Sequence, residues 1–213
     1  MFNNPMGKLF SICEWIMKLA YVNLLWLLFT LAGFILLGWM PSTVALFTIV
    51  RKWILKDAEV PIWSTFLSTY KKDFLKINVS GLIFTVLGGL LYIDYYLVLN
   101  FEGFIRIVMI SILLLMSLLY LITFVFFFPV YVHFDLKQFE YFKYAILLGS
   151  LNFHIFLVII VGLFIDIFLL LYIPSLIPFF SGVSIACIIM SGCFYIFQRL
   201  QKIKITEGMN GYN

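Results

Sequence analysis

The chain has 213 residues, 64% of them hydrophobic and only 11% charged, with a formal net charge of +4. Ordinary soluble domains carry about 25% charge, so this composition excludes a water-soluble globule and points to a single integral membrane domain over residues 1–213. The net charge is small, and for the basic connectors anionic lipid headgroups of the bilayer are a nearer partner than nucleic acid, so no nucleic-acid partner is expected.

Between Lys18 and Arg51 there are 32 residues without a charge. Crossing a hydrocarbon core takes roughly 20 apolar residues in a helix. A first span is expected at about residues 19–40. It is too long for a signal-peptide core and lacks a small-residue cleavage site, so it is expected to stay as an anchor. The connector Pro41–Lys76 follows, with helices expected at about residues 42–56 and 61–76. In the second, Ile62, Trp63, Phe66, Leu67, Tyr70 and Phe74 recur at three-to-four spacing, with Lys71, Lys72 and Lys76 among the positions between them. Such a helix suits a bilayer surface, greasy side down, or packing against the spans.

Spans are next expected at about 77–99 and 105–132, joined tightly through Asn100–Gly103. A second amphipathic connector is expected at about 135–147, with Asp135 and Gln138 at capping-box spacing. The last two spans, about 150–173 and 176–197, meet near Pro174 and Pro178. The fold class is therefore all-α: a polytopic membrane bundle of five transmembrane helices with amphipathic interfacial helices in the cytoplasmic connectors.

Lysine and arginine near span ends favour the cytoplasmic side. Five crossings with Pro41–Lys76 inside place eleven of the fourteen basic residues inside, leaving Lys8, Lys18 and Arg106 outside. That gives an N-out, C-in protein of a bacterial cell membrane. A re-entrant hairpin over residues 20–50 is the rival; it raises the inside count to thirteen. Its 31 residues fall short of the roughly 40 that two full crossings need, so one crossing is preferred.

Asp94 and Asp166 are the carboxylates well inside expected spans. Intramembrane acids are costly and mark ion paths or buried partners, so both are candidate polar sites. Asp94 has Tyr92, Tyr95 and Tyr96 around it, which also fits an interfacial aromatic belt. Phe66, Tyr70, Lys71 and Lys72 are the candidate membrane-surface or partner contacts. His133 and His154 form no recognisable ligand pair, and Cys13, Cys187 and Cys193 no metal or disulfide spacing. No phosphate loop, zinc-protease motif or nucleophile elbow occurs. No catalytic residue, cofactor or metal is expected. Gly182 and Ala186, four apart, are expected at a close helix contact.

Several stretches carry a resemblance: Asn23–Thr30 (NLLWLLFT), Pro41–Trp53 (PSTVALFTIVRKW), Pro61–Phe66 (PIWSTF), Tyr70–Phe74 (YKKDF), and Phe128–Pro129 with Phe134–Leu136. Together they resemble the YesL-like family of bacterial membrane proteins. Gly38–Pro41 (GWMP) departs from the placement of glycine in many relatives. The family has no assigned activity, so the resemblance supplies no catalytic residue. It implies association with carbohydrate uptake, because genes of such proteins often sit beside sugar ABC importers. The leading expectation is a non-enzymatic accessory subunit that contacts importer permease subunits or itself. An autonomous small oligomeric transporter or channel, with Asp166 and Asp94 on its path, is the alternative. A membrane scaffold or sensor is the third.

Overall fold

Hydrocarbon offers the backbone no hydrogen-bond partner, and the chain meets that condition with helices. A computed structural model describes residues 5–57 and 59–210, with side chains for 8–57 and 59–200. Lys202 and Lys204 lie outside the described side chains. The helices are α1 (Pro5–Ala32), α2 (Leu36–Ile54), α3 (Ile62–Val98), α4 (Gly103–His133), α5 (Gln138–Leu151), α6 (Phe153–Tyr172) and α7 (Ile177–Asn210), with a 3-10 turn at Pro174–Leu176 before α7. Among the described residues, five helical stretches are long and apolar enough to cross a membrane: Lys8–Ala32, α3, α4, α6 and Pro174–Leu200. The protein is an all-α, multi-pass membrane bundle.

Two compact units share the chain: residues 1–73 with 159–191, and residues 74–158 with 192–213. The sequence alone suggested one domain. The divisions fall within α3, α6 and α7.

In the first unit the chain reverses inside the long uncharged run. α1 ends at Ala32, and α2 starts at Leu36. The turn between them is a γ-turn centred on Ile35 (φ 64°, ψ −63°), closed by the Leu36 amide donating to the Phe34 carbonyl at 2.7 Å. Phe34 also has positive φ. The two helices then run antiparallel. The Trp26 indole donates to Thr43 Oγ1 at 3.1 Å, and the Trp15 and Trp53 rings meet edge-on at 5.6 Å. Gly38 makes this approach possible, because a Cβ there would sit 2.4 Å from the Thr30 carbonyl oxygen. The expected continuous span over 19–40 is thus corrected. So is the expected helix break at Pro41, which lies inside α2. Pro41 cannot donate to the residue four back, yet flanking side chains bury that part of α2 and hold it helical. α2 is buried almost throughout from Gly38 to Val50 and forms much of this unit's core.

Asn23 ties α7 to this hairpin. Asn23 of α1 is 0% exposed. Its Nδ2 donates to the Pro178 carbonyl at 2.8 Å. Its Oδ1 accepts from the amides of Gly182 (2.8 Å) and Val183 (3.0 Å). Pro178 and Gly182 are an i, i+4 pair, so the amide of Asn23 lies across one rung of the helix. Gly182 is the close contact anticipated from the sequence: a Cβ there would meet the Trp26 ring at 2.9 Å and Asn23 Oδ1 at 3.1 Å.

In the second unit α3 and α4 form a hairpin, and α5 folds back on α4. Phe84 is the hub. Its ring lies 5.1–5.9 Å from those of Tyr120, Phe124, Phe127 and Phe142. The Tyr120 hydroxyl donates to the Phe84 carbonyl at 3.2 Å. Gly149 lets α5 approach α4, since a Cβ would lie 2.3 Å from Ile122 Cγ2. The capping box expected at Asp135 and Gln138 does not form. α5 begins at Gln138, and it is Glu140 that accepts the Lys137 amide at 3.1 Å. Gln138 instead ties α5 to α3, donating to the Lys76 carbonyl at 2.8 Å and to Ser80 Oγ.

Replacing Asn23 with leucine removes three inter-helix hydrogen bonds from an apolar interior. Each loss of that kind costs about 1–3 kcal/mol. We expect Asn23→Leu to lower the midpoint of thermal unfolding in detergent clearly, while Thr48→Val, whose hydroxyl serves only its own helix at the Val44 carbonyl, leaves it nearly unchanged. Equal behaviour of the two variants would refute the clamp.

Candidate functional site

α3 positions most of the candidate residues. It is a single helix of 37 residues, so the expected connector helix 61–76 and span 77–99 are continuous within it. Its first turns pack on α1. Phe66 is 0% exposed and lies 5.2 Å from Phe29, centroid to centroid. Tyr70 is half-buried at 5.0 Å from the same ring, and its hydroxyl donates to the Phe29 carbonyl at 3.3 Å. Phe66 is thus a core residue and not a surface contact. Lys71 and Lys72 are exposed. Lys76 turns toward aromatic rings, with its ammonium 5.2 Å from the Tyr141 centroid and 5.7 Å from that of Tyr131. Arg51, at the foot of α2, is partly buried. Lost hydration lowers its pKa below the ordinary value, and the guanidinium still stays cationic at neutral pH.

The two candidate carboxylates fall in different units. Asp166 of α6 is half-buried and accepts a hydrogen bond from Ser184 Oγ of α7 at 2.9 Å. Ser184 also reaches the Ser181 carbonyl at 3.3 Å. This is an inter-helix tie of the kind polar groups make in membranes. Asp94 of α3 is exposed and borders a cavity of about 540 Å³ in the second unit. That cavity is lined by α3, α4 and α5, mostly with Leu, Ile and Phe side chains. His133 stacks on Phe197 at 4.2 Å, a packing role. Among the described residues no group of three His, Cys, Asp or Glu side chains converges as a metal site would.

Sequence reading missed Asn23 and Gln138 as the inter-helix ties. The signal was present for Asn23, the sole amide side chain between Lys18 and Arg51. A polar residue in a membrane helix has to find a partner.

Comparison with known proteins supplies the relationship. The uncharacterised protein YesV of Bacillus subtilis (strain 168) is 38% identical over 203 residues, covering 95% of this chain and 96% of its own length. Residues 19–95 match the family described as protein of unknown function, DUF624. The chain belongs to the YesL-like family. Within it, the uncharacterised protein YteU of the same organism is 38% identical over 179 residues, 84% of this chain and 80% of YteU. The uncharacterised protein YesL is 29% identical over 202 residues, 95% of each chain. No solved structure matches. The family match spans the second half of α1, all of α2 and nearly all of α3, so it includes Asn23, the γ-turn and Asp94, and ends before α6 and Asp166.

If Asp166 acts as a hydrogen-bond acceptor, Asp166→Asn keeps its tie to Ser184 and leaves unfolding in detergent unchanged, whereas Asp166→Leu lowers stability by about 1 kcal/mol. Equal losses in both variants would show that the charge matters and not the bond.

Proposed function

We infer that this YesL-like protein is a non-enzymatic membrane subunit that works beside a carbohydrate ABC importer, contacting its permease subunits. The observation that carries this reading is the exposed pair Lys71 and Lys72 near the start of α3, on a segment that Phe66 and Tyr70 pack against Phe29 of α1. A basic pair held in place by that packing suits contact with the cytoplasmic surface of a membrane partner. Exposed apolar side chains such as Phe104, Ile107 and Leu114 on α4 offer further helix-packing surface to a membrane partner. The resemblance to proteins encoded beside sugar importers supplies the partner class. Gentle solubilisation of native membranes, affinity capture of this chain and mass spectrometry are expected to recover importer permease subunits. Lys71→Glu with Lys72→Glu is expected to weaken that recovery. Recovery of the chain alone, with importers intact in the same extract, would defeat the assignment.

The orientation best supported has both termini in the cytoplasm. The α1–α2 hairpin sets Trp15 beside Trp53, so the Lys8–Lys18 end of α1 lies at the same level as Arg51 and Lys52. Whether the hairpin crosses fully or re-enters, it returns the chain to its starting side. Counted by crossings, thirteen of the fourteen basic residues then fall on the cytoplasmic side, Arg106 excepted. A single crossing has the N-terminus outside instead. In a chain with its three native cysteines changed to alanine, Lys8→Cys and Lys56→Cys are expected to resist a membrane-impermeant maleimide until cells are lysed. Arg106→Cys is expected to react in intact cells. Labelling of Lys8→Cys in intact cells restores N-out.

A further inference from the structure

We propose that the cavity between α3, α4 and α5 is a lipid site: it takes one acyl chain of a membrane lipid whose amine-bearing headgroup pairs with Asp94. Charge, depth and access all carry this assignment. The walls are apolar, with Leu87, Leu90, Met116 and Phe142 among the lining side chains. The two polar side chains of the wall are already engaged. The Tyr120 hydroxyl donates to the Phe84 carbonyl, and the Thr123 hydroxyl donates to the Leu119 carbonyl at 2.6 Å. Asp94 is the one charged residue of the lining. Among the described residues it makes no ion pair and no hydrogen bond through its side chain, in contrast to Asp166 with its serine. A lone carboxylate at the rim of an apolar groove is complementary to an amphiphile with a cationic head and a hydrocarbon tail.

Depth selects a lipid. Asp94 lies eighteen residues beyond Lys76 on one helix, about 27 Å along its axis. With Lys76 near one surface of a ~30 Å core, Asp94 stands at headgroup level in the opposite leaflet. The groove extends from Asp94 back to Ile83, eleven residues or about 16 Å. That is about half the hydrocarbon thickness, the depth of one leaflet's chains. Access agrees as well. Leu87, Leu90, Met116 and Phe139 at the groove are each substantially exposed, so the mouth faces the surroundings of the helices. Tyr92 and Tyr96, their hydroxyls bonded at 3.0 Å, mark the same level of α3 on the face away from the groove, where tyrosines suit a headgroup region. Arg106, in the first turn of α4, stands at the same end of the hairpin, where a lipid phosphate would lie.

The test uses the full chain in lipid nanodiscs with two spin-labelled probes of identical acyl chains, a phosphatidylethanolamine and a phosphatidylglycerol. Electron paramagnetic resonance reads the motionally restricted fraction of each. The native chain is expected to retain the ethanolamine lipid about fivefold better, the selectivity that one ion pair near the membrane surface provides. Asp94→Asn is expected to abolish that preference without reducing retention of the glycerol lipid. Leu87→Trp is expected to fill the groove and release both probes. If Leu87→Trp does not give monodisperse protein, Leu90→Trp serves the same purpose. Equal retention of the two probes by the native chain overturns the proposal. Undiminished retention with a tryptophan in the groove overturns it too. So does a tryptophan variant that shifts only the oligomeric state, which would assign the groove to a helix of a second copy.

Discussion

Inside hydrocarbon a polar atom has only the protein to turn to, and the architecture depends on how this chain satisfies its few polar side chains. Most are spent locally. The hydroxyls of Thr48, Thr85, Ser111 and Thr123 donate to carbonyls four residues back on their own helices. Such bonds satisfy the hydroxyl without joining helices. A small remainder does the joining: Asn23 to α7, Trp26 to α2, Tyr70 to α1, Gln138 to α3, Tyr120 to α3 and Ser184 to α6. Asn23 stands apart because it engages three backbone groups at once, in a position water does not reach. Lipid tails are as apolar as leucine, so hydrophobicity alone cannot specify which helices meet. Placement of these ties can.

Close approach completes what the ties begin. Gly38, Gly149 and Gly182 each face backbone or side-chain atoms where a Cβ would collide. They lie where α2 turns against α1, where α5 returns to α4, and where α7 receives Trp26 and Asn23. Dispersion forces between helices grow with contact area, and a missing side chain lets the backbones come near enough to collect them. The strained γ-turn at Ile35 fits the same economy. A backbone conformation worth about 1–3 kcal/mol of strain persists because tight packing on either side leaves no alternative.

The two carboxylates singled out from the sequence show how environment divides residues of one type. Asp166 is consumed as an acceptor for a neighbouring serine, which makes it part of the helix packing. Asp94 is left at the rim of an apolar groove with its charge unspent. Phe66 and Tyr70 are drawn inward to Phe29, whereas Lys71 and Lys72 stay outside. An amphipathic stripe records that one face is buried. It does not record whether lipid, a partner or the chain's own first helix covers it.

Composition and hydropathy were enough to establish an all-α protein that crosses the membrane several times, and to place α4, α6 and the apolar part of α7 within a few residues. Those features follow from length and greasiness, which are local properties that lipid reads segment by segment. The reversal at residues 33–35, the merging of connector and span into α3, and the roles of Asn23 and Gln138 came only from the tertiary structure. The uncharged run from Leu19 to Val50 has the same hydropathy whether it passes straight through or doubles back. The choice rests on Gly38 fitting against the Thr30 carbonyl and on Trp26 finding Thr43, contacts that exist only once the chain has doubled back. A pattern of apolar residues tells each helix that it belongs in oil; only partners brought together by folding tell it where to turn and whom to hold.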